Sequence, residues 1–320
     1  MAKKDEPRRE SFARVAAALS VISIGCATLT AAPGAALDAS VPNTTSKATT
    51  TRYVWPRWDR VAQPLGTRLY LLKPATGAYH VIADFPREVK SVVASPNGHL
   101  LVVLLFDGEV WTSQVGDPSS TKAIHTRGTV LEVWLRRGQV YFTARGQSGE
   151  PNTMAKMNTD GTGVQSLQSG SWPVPSSGFG LSPDGRQAAI GDESGIRIVT
   201  VSRGRVVRRL HVGAARDVSW ARDGRWLLYG TANGVARVHP DGTGRHMILR
   251  TITTNHGPIN YGAPTWSYNN RHLLTSGIMK AGQSTRLLAA NAFTKNPGVQ
   301  RVPGSRTPAI GGTGAWFRIR

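Results

Sequence analysis

The chain contains one cysteine, Cys26, among 320 residues. A single thiol can form no intrachain disulfide and no Cys-based zinc site, so stability must come from a buried core. Acidic residues are scarce as well: 19 Asp and Glu stand against 39 Lys and Arg, for a formal net charge of +20. Few acids leave little material for a metal centre built from several inward carboxylates. The H-E-x-x-H zinc signature, the G-x-S-x-G nucleophile elbow and the sialidase Asp-box are all missing. The eight histidines are scattered at spacings that suggest no ligand pairing. No cofactor or metal is expected, and no residue is assigned a catalytic role. Helical periodicity is also wanting from Tyr53 onward.

What the chain has in quantity is turn chemistry, with 35 Gly and 19 Pro, and 40% apolar residues. It also has one phrase written repeatedly. Ser95-Pro96-Asn97-Gly98 precedes His-Leu-Leu-Val-Val, and Ser182-Pro183-Asp184-Gly185 precedes Arg-Gln-Ala-Ala-Ile. Trp220-Ala221-Arg222-Asp223-Gly224 and Trp266-Ser267-Tyr268-Asn269-Asn270 are followed by Arg-Trp-Leu-Leu-Tyr and Arg-His-Leu-Leu-Thr. Each copy reads as strand end, tight turn, new strand. The turn residue falls at Gly98, Gly138, Gly185, Gly224 and Asn270, at intervals of 40, 47, 39 and 46 residues. That is the period of a propeller blade, a four-stranded antiparallel sheet. In the fourth blade the strands are expected at Phe179–Ser182, Gln187–Gly191, Ile196–Val201 and Arg205–His211. Asn158-Thr-Asp-Gly-Thr-Gly163 and His239-Pro-Asp-Gly-Thr-Gly244 are near copies. Their Asp-Gly pairs suit hairpin turns and lack the alternating carboxylates of a calcium loop.

The first blade supplies only three strands, Tyr53–Trp58, Arg68–Leu72 and Ala78–Ala83, while Gly314–Arg320 reads as an innermost strand with no blade after it. The fold expected is therefore all-β: a six-bladed β-propeller closed by the C-terminal strand pairing in the first blade. Closure of this kind removes the open sheet edge.

The phrase resembles the TolB-like family of six-bladed propellers, whose repeats carry W-S-P-D-G-R-x-L-x. The resemblance spans nearly all of 53–320. Blade three departs from it at Leu131-Glu-Val-Trp-Leu-Arg-Arg-Gly138, and blade one lacks it. It implies a scaffold that binds a protein or peptide at the ring mouth, with no catalysis.

Residues 1–36 stand apart from the propeller at 52–320. Lys3, Lys4, Arg8, Arg9 and Arg14 precede an apolar run, Val15–Gly25, and then Gly34-Ala35-Ala36. This is the layout of a secretory signal peptide, and it leaves open a retained N-terminal anchor or lipidation at Cys26. Residues 37–51 form a Ser/Thr-rich leader. An extracytoplasmic location follows, secreted or associated with the cell envelope. Of the +20 net charge, +18 lies beyond residue 36. Such a surface suits wall polymers, lipid headgroups or acidic proteins, although an Arg-rich composition alone would also produce it.

Loops joining blades, together with those joining each blade's second and third strands, share one face. That face gathers Trp172, Asp192, Glu193, Asn233, His256, Asn260 and Tyr261 as candidate contacts for a protein or peptide. The stretch Thr251–Gly262 reads as the longest inter-blade connection. Arg203, Arg205, Arg208 and Arg209 form the densest basic run, on the outer strand of blade four. They would contact an anionic polymer or simply guard the sheet edge; interleaved aromatics suited to nucleic acid are missing. Trp134, Trp220, Trp266 and Trp316 hold equivalent inner-strand positions and are expected to pack between blades. Glu132 and Asp217, the exceptional acids on inner strands, read as ordinary strand or turn residues. A monomer is expected. The rival reading is a lyase or metal-dependent hydrolase centred on the channel, which would require converging carboxylates or histidines.

Overall fold

A computed structural model describes residues 55, 57, 59–124, 130–145, 153–167, 179–254, 257–278, 286–294, 297–305 and 315–318. Six antiparallel sheets account for every strand, and no helix occurs among the described residues. The first blade holds β1 (Asp59–Leu65), β2 (Arg68–Lys73) and β3 (Ala78–Asp84); the second holds β4 (Val89–Ala94), β5 (Leu100–Leu105), β6 (Val110–Gln114) and β7 (Asp117–Ile124). The third comprises β8 (Val130–Arg136), β9 (Gln139–Ala144), β10 (Thr153–Asn158) and β11 (Gln165–Ser166). The fourth comprises β12 (Phe179–Leu181), β13 (Gln187–Asp192), β14 (Gly195–Thr200) and β15 (Val206–Leu210). The fifth is β16 (Arg216–Trp220), β17 (Leu227–Thr231), β18 (Gly234–Val238) and β19 (His246–Arg250). The sixth is β20 (Ile252–Thr254), β21 (Gly257–Trp266), β22 (His272–Ile278), β23 (Arg286–Asn291) and β24 (Gln300–Arg301), and β25 (Ala315–Arg318) returns to the first blade in the order β25-β1-β2-β3.

The repeated phrase becomes one repeated turn. The Ser95 hydroxyl donates to Asn97 Oδ1 at 2.6 Å, and its oxygen accepts the Leu100 N–H at 2.9 Å. Ser182 does the same with Asp184 and Gln187, at 2.6 and 2.9 Å, and Ser267 with Asn269 and His272, at 2.7 and 3.0 Å. Short polar side chains thus replace the backbone partners that the bend removes. The turn ends on a left-handed residue: Gly98, Gly185 and Gly224 have φ of 75°, 72° and 78°, and Asn270 takes φ 58° in the copy without glycine. Asn is among the few residues that tolerate this region. The Asp-Gly-Thr-Gly copies are turns too. Asp160 Oδ1 accepts the N–H and hydroxyl of Thr162 at 2.9 and 2.7 Å, and Asp241 repeats this with Thr243 at 2.8 and 2.7 Å.

The ring closes through the C-terminal strand, but against a different stretch from the one the sequence suggests. β25 pairs with β1 in the register Asp59↔Arg318, Arg60↔Phe317, Val61↔Trp316 and Ala62↔Ala315. The expected partner, Tyr53–Trp58, precedes this strand, and most of it lies outside the described residues. Turn geometry explains the difference. Leu65 pairs with Arg68 across a two-residue Gly66-Thr67 hairpin, and a hairpin loop of that length fixes the register of both strands.

Six apolar clusters hold the ring, each shared by neighbouring blades. The cluster across the seam joins Val61, Tyr70 and Leu72 of the first blade to Leu274, Leu287 and Ala289 of the sixth, with Trp316 among them. Trp134, Trp220, Trp266 and Trp316 are all buried, as blade packing requires. The Trp316 ring lies 4.7 Å from Trp55, and Trp134 lies 4.1 Å from Phe179. The expected long connection at 251–262 is instead mostly strand. β20 pairs with β21 from Ile252↔Ile259 to Thr254↔Gly257, since the β-branched run Ile-Thr-Thr favours extended pairing.

Candidate functional site

The inner strands surround a central channel with a cavity of about 340 Å³. Every blade contributes: Lys90 from β4, Glu132 from β8, Phe179 from β12, Asp217 from β16, Thr265 from β21 and Trp316 from β25. Four inner strands carry an irregularity, near the first residues of β4, β8 and β16 and in the second half of β21. The register shifts between Val89 and Ser91, Val130 and Glu132, Arg216 and Ser219, and Gly262 and Thr265. A bulge at a strand end re-aims the local side chains. Asp217 and Ala263 take left-handed φ values of 48° and 44°, and Asp217 Oδ2 accepts the Ala263 N–H at 3.4 Å.

The outcome is a charged mouth. Lys90 Nζ donates to the Leu131 carbonyl at 2.5 Å and lies 4.0 Å from Glu132 Oε1. Burial raises the Glu132 pKa; the Lys90 charge opposes this and the Asp217 charge adds to it. Burial also raises Asp217, against the Ala263 N–H and the Arg216 charge. Two carboxyl groups therefore stand at one end of the channel, each biased towards its neutral form mainly by burial.

The sequence-derived candidates distribute unevenly. Asp192 and Glu193 lie at the turn after β13, and Asn233 lies at the equivalent turn after β17. Glu193 and Asn233 are exposed. Asp192 is held by its own blade: Oδ1 accepts from the Ser194 hydroxyl at 2.6 Å and Oδ2 accepts from Arg197 Nε at 2.7 Å. The Ser194 hydroxyl and Arg197 keep its pKa below the ordinary value despite partial burial. Asn260 and Tyr261 belong to β21, not to a loop, and Tyr261 is buried in the cluster between blades five and six. Trp172 and His256 lie outside the described residues. Arg208 and Arg209 stand exposed on β15, and Arg203 and Arg205 are exposed in the turn leading to it.

Lys90 and the channel arginines Arg136 and Arg222 escaped the sequence reading, and Glu132 and Asp217 were assigned no function there. The available signal was two acids on inner strands of an acid-poor chain. The bulges that turn them into one mouth leave no pattern in the sequence. Among the described residues no three His, Cys, Asp or Glu side chains are placed to hold a metal ion.

No family model matches the sequence, and no curated protein matches it. Solved structures do match. A protein assigned as TolB from Agrobacterium tumefaciens superposes with a TM-score of 0.57 at 16% identity, covering 78% of this chain and 91% of that one. TolB from Acinetobacter baumannii gives 0.61 at 13% identity, covering 82% and 67%. The chain has the TolB propeller fold. A chain of a Nidogen/Laminin complex gives 0.57 at 10% identity, covering 82% and 99%. At these identities the likeness to TolB concerns architecture, consistent with the repeated turn at the end of the inner strands and ring closure by the C-terminal strand.

Proposed function

We propose that this protein is an exported, non-catalytic binding scaffold. It takes a protein or peptide segment at the face where the inner strands begin. The observation that carries the reading is the mouth itself: Lys90, Glu132 and Asp217 are gathered from three blades by backbone bulges around a preformed depression. A rigid ring orders little on binding, so its contacts contribute more fully to affinity. The turns bearing Asp192, Glu193 and Asn233 share this face by topology and form its rim. The TolB likeness and the presence of a propeller in a Nidogen/Laminin complex agree with such a role. The apolar segment of residues 15–25 supports export, and the basic surface supports attachment to anionic envelope material.

The test is capture of envelope proteins by the full chain, compared with Glu132→Gln/Asp217→Asn. A species retained by wild type and lost from the double variant, with thermal stability at least that of wild type, is the expected result. Equal capture by both would remove the mouth from the function.

A second reading is favoured by one observation, two half-buried carboxyls, Glu132 and Asp217, lining one cavity with raised pKa values. Two carboxylates with raised pKa values could exchange a proton with a substrate, as a channel-centred lyase would require. Turnover of a polyanionic sugar substrate, abolished by either single variant, would support that reading over the scaffold.

A further inference from the structure

The opposite end of the channel is built differently. Arg136 ends β8 and Arg222 follows β16, two residues before Gly138 and Gly224 in their respective turns, and both line the cavity. Arg136 is fixed in place: Nη1 donates to the Leu135 carbonyl at 3.0 Å and Nη2 to the Leu181 carbonyl of blade four at 3.1 Å. Its Nε is buried and meets no acceptor among the described residues. Arg222 is half-buried; its main-chain N–H donates to Asn270 Oδ1 at 2.9 Å, while its guanidinium makes no hydrogen bond among the described residues. Neither arginine has an ion-pair partner there. The nearby turn carboxylates are engaged elsewhere. Asp184 accepts from Ser182 and from the Arg186 N–H, and Asp223 accepts from the Arg225 N–H.

A third arginine provides a comparison. Arg318, at the matching place on β25, is neutralised by Asp59 at 3.6 Å and lies over the Tyr268 ring at 4.5 Å. Buried charges are as a rule paired. Arg136 and Arg222 instead face each other's charge, and burial together with Arg222 lowers the Arg136 pKa to about 10. Both remain cationic at neutral pH. The fixed Arg136 guanidinium and the unengaged Arg222 guanidinium together offer positive charge and N–H donors to an oxyanion.

We propose that Arg136 and Arg222 form a binding site for a single oxyanion, carboxylate or phosphate, at the end of the channel remote from Glu132 and Asp217. The site stands whether or not the carboxylate mouth binds a partner.

Inorganic phosphate and acetate are the probes, each titrated into the full chain against sodium chloride at matched ionic strength, with melting temperature and calorimetry as readouts. Phosphate should bind wild type and raise its melting temperature. Arg222→Gln should weaken binding by about tenfold or more, as expected for loss of a hydrogen bond to a charged group. Lys122→Gln, exposed on the outer strand β7, should leave it unchanged. Without anion, Arg222→Gln should melt no lower than wild type, because it removes a like-charge repulsion; this separates a lost site from a damaged fold. Arg136→Gln should weaken phosphate similarly, but Arg222→Gln remains decisive should Arg136→Gln fail to fold. Acetate matching phosphate would identify a carboxylate ligand, and phosphate acting alone a phosphate ligand; both outcomes support the site. Equal phosphate affinity in wild type and Arg222→Gln, or an equal loss in the outer-strand variant, would overturn it.

Discussion

Asp59→Ala should open the seam of the ring. Asp59 is fully buried; its Oδ2 accepts the Trp316 Nε1–H at 3.1 Å, and its Oδ1 lies 3.6 Å from Arg318 Nε. It therefore ties both polar side chains of β25 to the first strand of the same blade. Removing one partner of a buried ion pair costs about 3–5 kcal/mol. Here the lower end applies, near 3 kcal/mol, because the Arg318 side chain is 37% exposed and water can solvate part of its charge. With a guanidinium chloride slope of roughly 2–6 kcal/mol/M, the unfolding midpoint should fall by about 0.5–1.5 M. Asp59→Asn keeps an acceptor for Trp316 and should fall less. In a double-mutant cycle, Trp316→Phe should cost less in the Asp59→Ala background than in wild type, since the shared hydrogen bond is already gone. A shift below about 0.2 M for Asp59→Ala would refute the reasoning. The C-terminal strand would then contribute little to holding the ring closed.

Glu132→Gln/Asp217→Asn should stabilise the protein at neutral pH. Both groups have folded pKa values above their ordinary ones, so the folded state binds protons more tightly and stability declines as pH rises from about 4 through the raised values. The advantage of the double variant should shrink as pH falls towards about 4 and vanish near about pH 3, where both carboxyls are neutral in either state; melting curves against pH check this. Gly234→Ala should be severely destabilising, because its Cβ would lie 1.9 Å from the Leu249 carbonyl oxygen at φ 134°, a backbone region almost exclusive to glycine. Gly116→Ala, with φ 94° and open space around it, should suffer backbone strain alone and cost roughly 1–3 kcal/mol by chemical denaturation. Neutralising Arg208 and Arg209 should leave stability within about 0.5 kcal/mol while reducing retention on an anionic polymer column at low salt.

The fold was legible because its information is local. The phrases at Ser95, Ser182 and Ser267 each contain the donor, the acceptor and the left-handed residue of their own turn, so the blade period appears directly in the chain. The fourth-blade strands fall within about two residues of expectation. The starting strand was harder. Tyr53–Trp58 and Asp59–Leu65 both read as extended, and only the Gly66-Thr67 hairpin decides between them. Tyr261 failed as a loop residue for a related reason: a polar run bearing Thr and Ile can be a connector or a strand, and pairing with β22 resolves it. The site was less legible than the fold. Lys90, Glu132 and Asp217 occupy different offsets within their repeats, so alignment of the phrases does not superpose them. Backbone bulges gather them, and those depend on pairing partners distant in sequence.

The two ends of the channel should behave as independent sites until something spans them. Glu132 and Arg136 are four residues apart along β8, which places them about 13 Å apart at the rise of an extended strand. Buried tryptophans line the wall between the ends, and among the described residues no hydrogen bond or ion pair joins Glu132 or Asp217 directly to Arg136 or Arg222. Substitutions separated by more than about 7–10 Å without shared partners add to within roughly 0.5 kcal/mol. Glu132→Gln and Arg222→Gln should therefore combine additively in free-protein stability. A small anion fills only the arginine end and should leave that additivity intact. An extended peptide of about four residues, entering at the carboxylate mouth and ending at the arginines, would touch both. Its binding energy should then show coupling between the same two substitutions. Coupling already present in the unliganded protein would contradict this picture, because it would require the two ends to communicate through the ring itself.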